Sequence, residues 1–213
     1  MKKHALIVGV GPGIGMAAAR RFGREGYALS VLSRSPQIHA DTLSSEGLTA
    51  RGYAADAADF VGLTAALERA QLEQGAAEVL ICNVARVLPE SNATLEPEIF
   101  MNSLRINAGA ALVATQAVLP GMRERGAGTL LYTGGGLSLR PSGNFGSVSV
   151  GKAALRSLVL TLAQDLEPQG IHAATVTVAM SVKPENAEAI ADLYWTLHTQ
   201  ARADWQSEIV FSG

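Results

Sequence analysis

Cysteine is almost absent from this sequence: Cys82 stands alone among 213 residues. No internal disulfide can form, and nothing points to an oxidising compartment, so the cytoplasm is the expected address. Charge is also scarce. Charged residues make up 17% and the formal net charge is -2, which gives no broad attraction for phosphate backbones or anionic lipid and argues against nucleic-acid and membrane partners. No stretch reaches the roughly 18 uninterrupted apolar residues of a membrane-spanning helix. The histidines at His4, His39, His172 and His198 lack paired ligand spacing, so no metal site is expected. With no repeat, low-complexity tract or charge block to mark a linker, residues 1–213 are expected to form one domain.

What the chain does hold is apolar: 48% of it is hydrophobic, enough for a compact α/β core. The start, Met1-Lys2-Lys3-His4 followed by Ala5 to Val10, superficially resembles a secretory signal. Glycines at 9, 11, 13 and 15 interrupt it where a strand should turn into a helix, so it reads as strand and turn. Short apolar segments then alternate with longer helical ones, the pattern of a parallel sheet with crossover helices. Strands are expected at Ala5–Val10, Ala28–Ser33, Leu48–Ala54, Val79–Cys82, Thr129–Thr133, His172–Val178 and Glu208–Phe211. Helices are expected at Gly13–Glu25, Asp59–Glu73, Pro97–Arg125, Ser149–Glu167 and Pro184–Arg202. The expected architecture is a Rossmann fold: a doubly wound, parallel, seven-stranded α/β sheet of order 3-2-1-4-5-6-7, with ligands at its carboxyl edge.

The first chemical signal is Gly9-Val10-Gly11-Pro12-Gly13-Ile14-Gly15, between an apolar strand and a helix. Glycines allow a tight turn and close backbone approach to a pyrophosphate, while the helix start offers amides and a positive dipole end. A merely flexible turn would not need this order. The second strand ends in Ser33-Arg34, where many dinucleotide sites place an acid for the ribose hydroxyls. A guanidinium there can pair with a 2′-phosphate instead, favouring NADP over NAD; the bland alternative is a solvated arginine.

Several motifs together resemble the short-chain dehydrogenase/reductase family over nearly the whole chain. Gly9, Gly13 and Gly15 match its glycine motif. Asp56 and Ala57 match the adenine-contacting stretch after strand three, and Asn83-Val84-Ala85 resembles its Asn-Ala-Gly turn with the last glycine replaced. Asn107 matches the asparagine that helps hold a relay water. Lys152 matches the lysine that ends a Tyr-x-x-x-Lys motif and holds the nicotinamide ribose. The resemblance implies catalytic roles for Asn107 and Lys152, a dinucleotide cofactor and a small carbonyl or alcohol substrate. It also implies a homodimer or homotetramer through the helices near 108–119 and 153–166.

The same register exposes departures. The family's tyrosine position holds Val148, and its second serine position holds Gly135; neither side chain can give a proton. Ser147 and Ser149 flank Val148 but point about 100° away on a helix. Tyr132 and Cys82 both read as buried packing. After Val178 the chain runs almost directly into Pro184, so the family's substrate-covering insertion is missing and the pocket should be wide or filled by a neighbouring subunit. Three readings remain open: an oxidoreductase with an altered proton donor and weak or unusual turnover, a catalytically silent nucleotide-binding subunit, and a purely structural subunit.

Overall fold

The computed structural model describes residues 3–212, so Met1 and Lys2 of the signal-like start, together with Gly213, lie outside the described residues. Seven strands form one parallel sheet of order β3-β2-β1-β4-β5-β6-β7: β1 His4–Val8, β2 Ala28–Ser33, β3 Ala50–Ala54, β4 Val79–Cys82, β5 Gly128–Gly135, β6 Ile171–Val178 and β7 Glu208–Phe211. The expected Rossmann order is therefore the observed one. The helices are α1 Ile14–Arg24, α2 Gln37–Ser45, α3 Phe60–Gln74, α4 Pro97–Leu104, α5 Ala110–Arg125, α6 Gly146–Leu166 and α7 Pro184–Thr199.

Strand side chains alternate between two cores, because successive residues of a strand point to opposite faces. Ala5 and Ile7 join Leu29, Val31, Phe22, Ile190 and Tyr194 beneath α1 and α7. Leu6 and Val8 join Leu32, Leu67, Val118 and Val159 beneath α3, α5 and α6. Both faces of the central strands are thus covered, as a parallel sheet requires. Residue after residue of β1 and β6 is consequently buried.

Several boundaries differ from expectation for physical reasons. β1 stops at Val8 and not Val10, because Gly9 takes φ 87° and its N–H turns to Leu32 O at 2.9 Å. α2 was not expected; among its polar residues only Ala40 and Leu43 are buried, too few to give a helical period. β3 starts at Ala50 and not Leu48, whose N–H closes the end of α2 on Leu43 O at 3.0 Å. The expected helix Pro97–Arg125 is divided by a widened π turn, Arg105–Gly109. α6 begins at Gly146, three residues before Ser149, and α7 ends at Thr199 because Gln200 turns to ψ 137°.

β5 runs past Thr133 through the glycines. Gly134 pairs with Thr177 and Gly135 with Val178, so two of the three glycines continue the sheet and Gly136 starts a short 3-10 turn. Only the segment 179–183 connects β6 to α7, leaving the carboxyl edge uncovered there.

Candidate cofactor and active site

At the carboxyl edge the turn from β1 into α1 is set by two close approaches. A Cβ on Gly9 would lie 2.8 Å from the Asn83 carbonyl carbon, and one on Gly15 2.8 Å from Gly9 O. Only glycine fits either place. At Gly11 and Gly13 an added Cβ meets nothing within 4 Å, so their smallness keeps open the space in front of the turn. Gly13 caps α1 without a side-chain bond, and the helix start therefore keeps amides for an anion. Pro12, Ile14 and Ala85 line the same space.

Asn83 knots this turn to the sheet. Its Nδ2 donates to Gly9 O at 2.9 Å, and its Oδ1 accepts from the Thr133 hydroxyl at 2.7 Å. Thr133 Oγ1 in turn lies 2.6 Å from the hydroxyl of Tyr194 on α7. Neither Thr133 nor Tyr194 was legible as a site residue: a threonine in an apolar strand and a tyrosine on an amphipathic helix both look like packing. Tyr132, by contrast, is the buried tyrosine expected, its hydroxyl 2.6 Å from Thr115 Oγ1 beneath the opposite face.

Ser33, Arg34, Asp56, Ala57, Asn83, Val84 and Ala85 line one cavity of about 480 Å³ with Gly9 and Gly11. Ser33 Oγ is shielded from solvent and has no hydrogen-bond partner among the described residues. Arg34 is exposed beside it. One oxygen of Asp56, Oδ1, accepts from Ala58 N at 2.8 Å, which fixes the loop at the cavity wall.

Lys152 projects from α6 into a larger adjoining cleft of about 1070 Å³. Its Nζ donates to Thr133 O at 2.9 Å and to Val84 O at 3.3 Å, and the residue is only 5% exposed. Burial disfavours the charged form and pulls the ammonium down to about 8. The neighbouring Cys82 thiol, buried as expected, is pushed up by desolvation to about 11 and stays neutral near pH 7.

Asn107 sits in the π turn, buried. Its Oδ1 accepts from Arg86 N at 3.0 Å, and its Nδ2 donates to Arg86 O and Ser103 O, each at 3.1 Å. A Cβ on Gly151 would lie 2.7 Å from Asn107 Cβ, so the glycine before Lys152 lets α6 touch this turn. Asn107 and Lys152 thus share one seam, although the Asn107 amide is taken up by Arg86 and Ser103.

Around Lys152 the departures are visible as space. Val148 is buried against the cleft, and Gly135 is extended, with a virtual Cβ 3.4 Å from Lys152 Cγ. A further cluster went unread in the sequence: Arg86 pairs with Glu90 at 2.6 Å, and Ser147 Oγ donates to Glu90 at 2.7 Å. The Arg86 guanidinium, aided by Ser147, holds the Glu90 carboxyl down to about 2. This clamp ties the loop after β4 to the start of α6.

A family model described as short chain dehydrogenase matches residues 3–192. The chain belongs to the short-chain dehydrogenase/reductase family. Among curated relatives, human dehydrogenase/reductase SDR family member 4 is 32% identical over 176 residues, covering 80% of this chain and 63% of the relative. The short-chain reductase protein NovJ of Streptomyces niveus is 31% identical over 176 residues, covering 78% of this chain and 64% of its own length. The chain therefore spans less than two thirds of the length of these relatives. Among solved structures, a short-chain dehydrogenase from Rhodopseudomonas palustris matches with TM-score 0.90 at 24% identity, covering 99% of this chain and 98% of that one. A metagenomic short-chain oxidoreductase in complex with NADP matches with TM-score 0.90 at 21% identity, covering 98% and 95%. These structures share the fold.

The family binds a nicotinamide dinucleotide, and the residues of this reductase-family chain fit one. The open space before Gly11 and Gly13, the uncapped start of α1 and the unpartnered Ser33 hydroxyl are each features that a phosphate-bearing ligand would satisfy. Among the described residues, no helix is long and apolar enough to cross a membrane.

Proposed function

We propose that this chain is an NADP-binding member of the oxidoreductase family whose carbonyl or alcohol chemistry is weak or unusual. The observation that carries the reading is the pairing of a complete glycine cradle with Gly135 and Val148 beside Lys152. When bound, the dinucleotide supplies or accepts a hydride.

Gly9, Gly11, Pro12, Gly13, Ile14 and Gly15 form the turn that holds the pyrophosphate: the N–H groups of Gly13, Ile14 and Gly15 at the helix start face the anion, while Pro12, which has no N–H, and Gly9, whose N–H is spent on Leu32 O, shape the cradle. Ser33 and Arg34 take the 2′-phosphate: the serine hydroxyl has no other partner, and no acid stands at the end of β2 to repel the anion. Asp56, Ala57, Asn83, Val84 and Ala85 wall the adenosine side. Lys152 holds the nicotinamide ribose, and Asn107 stands at the relay position beside it.

The proton side is where the chain is poor. A positioned general acid contributes roughly 10²–10⁴-fold, and an oxyanion donor roughly 10²–10³-fold, though the two do not simply multiply when they act as a unit. Valine and glycine provide neither. Adjacent Ser147 does not substitute, because its hydroxyl is already committed to Glu90.

The second reading, a catalytically silent nucleotide-binding subunit, is favoured by the same pair of positions together with the uncovered edge at 179–183, which lets water into the site. Calorimetric titration with NADPH, followed by NADPH oxidation over a panel of ketones, separates the two. Tight binding with slow oxidation supports the first, and tight binding with none supports the second. Absence of dinucleotide binding would leave only the structural-subunit reading.

A further inference from the structure

The larger cleft contains more than a small ketone needs. Its volume of about 1070 Å³ is at the upper end for sites that enclose drug-sized ligands. The inner part lies between the glycine turn and Lys152. The outer part is apolar, walled by Val87, Leu139, Phe145, Met180, Val182 and Val210. Val87, Leu139, Val182 and Val210 come from four separate segments, and all four are exposed although large and apolar. Single exposed apolar residues need no explanation, but a convergent set at one opening marks a surface that something covers.

Charge narrows what covers it. Among the described residues no carboxylate lines the cleft, and its ionisable side chains are Lys152 at the floor and Arg140 at the rim. Arg140 makes no salt bridge among the described residues, which it shares with Arg24, Arg34, Arg105, Arg123, Arg125 and Arg202; what sets it apart is its place on the rim of this cleft. Its place is fixed by a tight turn: the N–H groups of Leu139 and Arg140 both return to Gly136 O, at 3.0 and 2.9 Å. One apolar wall residue and one unpaired guanidinium are thus presented side by side from the same turn. The absence of a covering segment at 179–183 leaves the trough open at its end, so a long ligand can lie along it and shield the wall itself.

We propose that this outer trough binds an elongated alkyl chain ending in an oxyanion, carboxylate or phosphate, whose head pairs with Arg140. The proposal rests on the reading of the inner cleft as the dinucleotide and reaction site, and it names the substrate class for that site. A guanidinium fits either head, because both present two oxygens to its paired N–H donors. A neutral apolar ligand would leave the arginine unused. A second protein copy would cover the wall but exclude the free chain.

The test is isothermal titration of the protein with decanoate, decyl phosphate and 1-decanol at low salt, with and without saturating NADPH. At least one anion should bind about fivefold more tightly than the alcohol, the upper range for an exposed ion pair, and added salt should erase the difference. Comparison of the two anions identifies the head group. Arg140→Glu should abolish the preference and Arg140→Gln should reduce it, while Val182→Asp should weaken all three ligands. Equal affinity for anion and alcohol, a preference that survives Arg140→Glu, or no binding of any chain would overturn the proposal. If the anion preference holds but NADPH does not bind, the dinucleotide reading falls and the anion site stands. If NADPH binds and the preference is absent, the anion site alone falls.

Discussion

Lys152 Nζ lies 2.9 Å from the carbonyl oxygen of Thr133, the last residue of β5 before its glycines. The strand end thereby holds the lysine through its backbone, with no hydroxyl from Gly134 or Gly135 between them. A buried cation held by two carbonyls and no carboxylate is stabilised only in part, which is why its ammonium titrates near 8.

That relationship predicts a pH-dependent stability. The folded value for Lys152, about 8, lies below the ordinary 10.5, so between these values the unfolded chain binds more protons and stability rises with pH. Lys152→Met should stabilise the dinucleotide-free protein below pH 8, by up to about 3 kcal/mol at about 1.4 kcal/mol per tenfold change. The advantage should shrink between pH 8 and 10.5. Denaturant melts across that range check it, and a pH-independent difference would contradict it.

Catalytic repair should depend on which glycine is changed. Gly135 has room, since its added Cβ meets Lys152 Cγ at 3.4 Å, whereas one at Gly134 would lie 2.7 Å from both Thr175 Oγ1 and Thr177 Oγ1. Val148→Tyr combined with Gly135→Ser should raise NADPH-dependent ketone reduction by more than either change alone, on the order of 10²-fold if half-restored. Gly134→Ser should lower the melting temperature and give no rate gain. Robust wild-type turnover that survives Lys152→Met would place the chemistry elsewhere.

Cofactor choice should follow the end of β2. Arg34→Asp should weaken NADPH binding more than NADH binding, and Ser33→Ala should act in the same direction more mildly, because Ser33 Oγ has no protein partner to lose. Roughly tenfold is expected for the arginine, from loss of a charge-assisted bond. Calorimetry with both nucleotides decides it. Equal affinities in the wild type at low salt would remove the role given to Arg34.

Self-association should use the helices around the seam of Asn107 and Lys152. Met101 on α4, Leu112 on α5 and Val150 on α6 are exposed large apolar side chains on adjoining helices. A homodimer or homotetramer would cover them. Light scattering should report an oligomer at micromolar concentration, and Met101→Glu with Val150→Glu should shift it toward monomer. A wild-type monomer at that concentration would count against the interface.

Much of the fold was legible because its signals are local. The short apolar run of β1, the glycines before α1 and the spacing from Gly135 to Val148 to Lys152 can each be read from neighbouring residues. The polar helix α2 was not legible, since two buried side chains make no period. The π turn at Arg105–Gly109 was hidden inside a continuous helical pattern. The extension of β5 through Gly134 and Gly135 was missed as well, because glycine gives no strand signal of its own. β6 supplies the hydrogen bonds that hold it extended.

The sequence alone determined the sheet order, the glycine turn between β1 and α1 and the absence of a proton-bearing side chain at 135 and 148, because each depends on residue type at fixed chain spacing. Only the tertiary structure decided what lies across those spacings. It linked Asn83 to Gly9 and Thr133, left Ser33 without a partner, and buried Lys152 among carbonyls. It also placed Arg140 on the rim of an apolar trough. Such partnerships join residues distant in the chain, and burial and hydrogen bonding are properties of the packed neighbours that folding brings together.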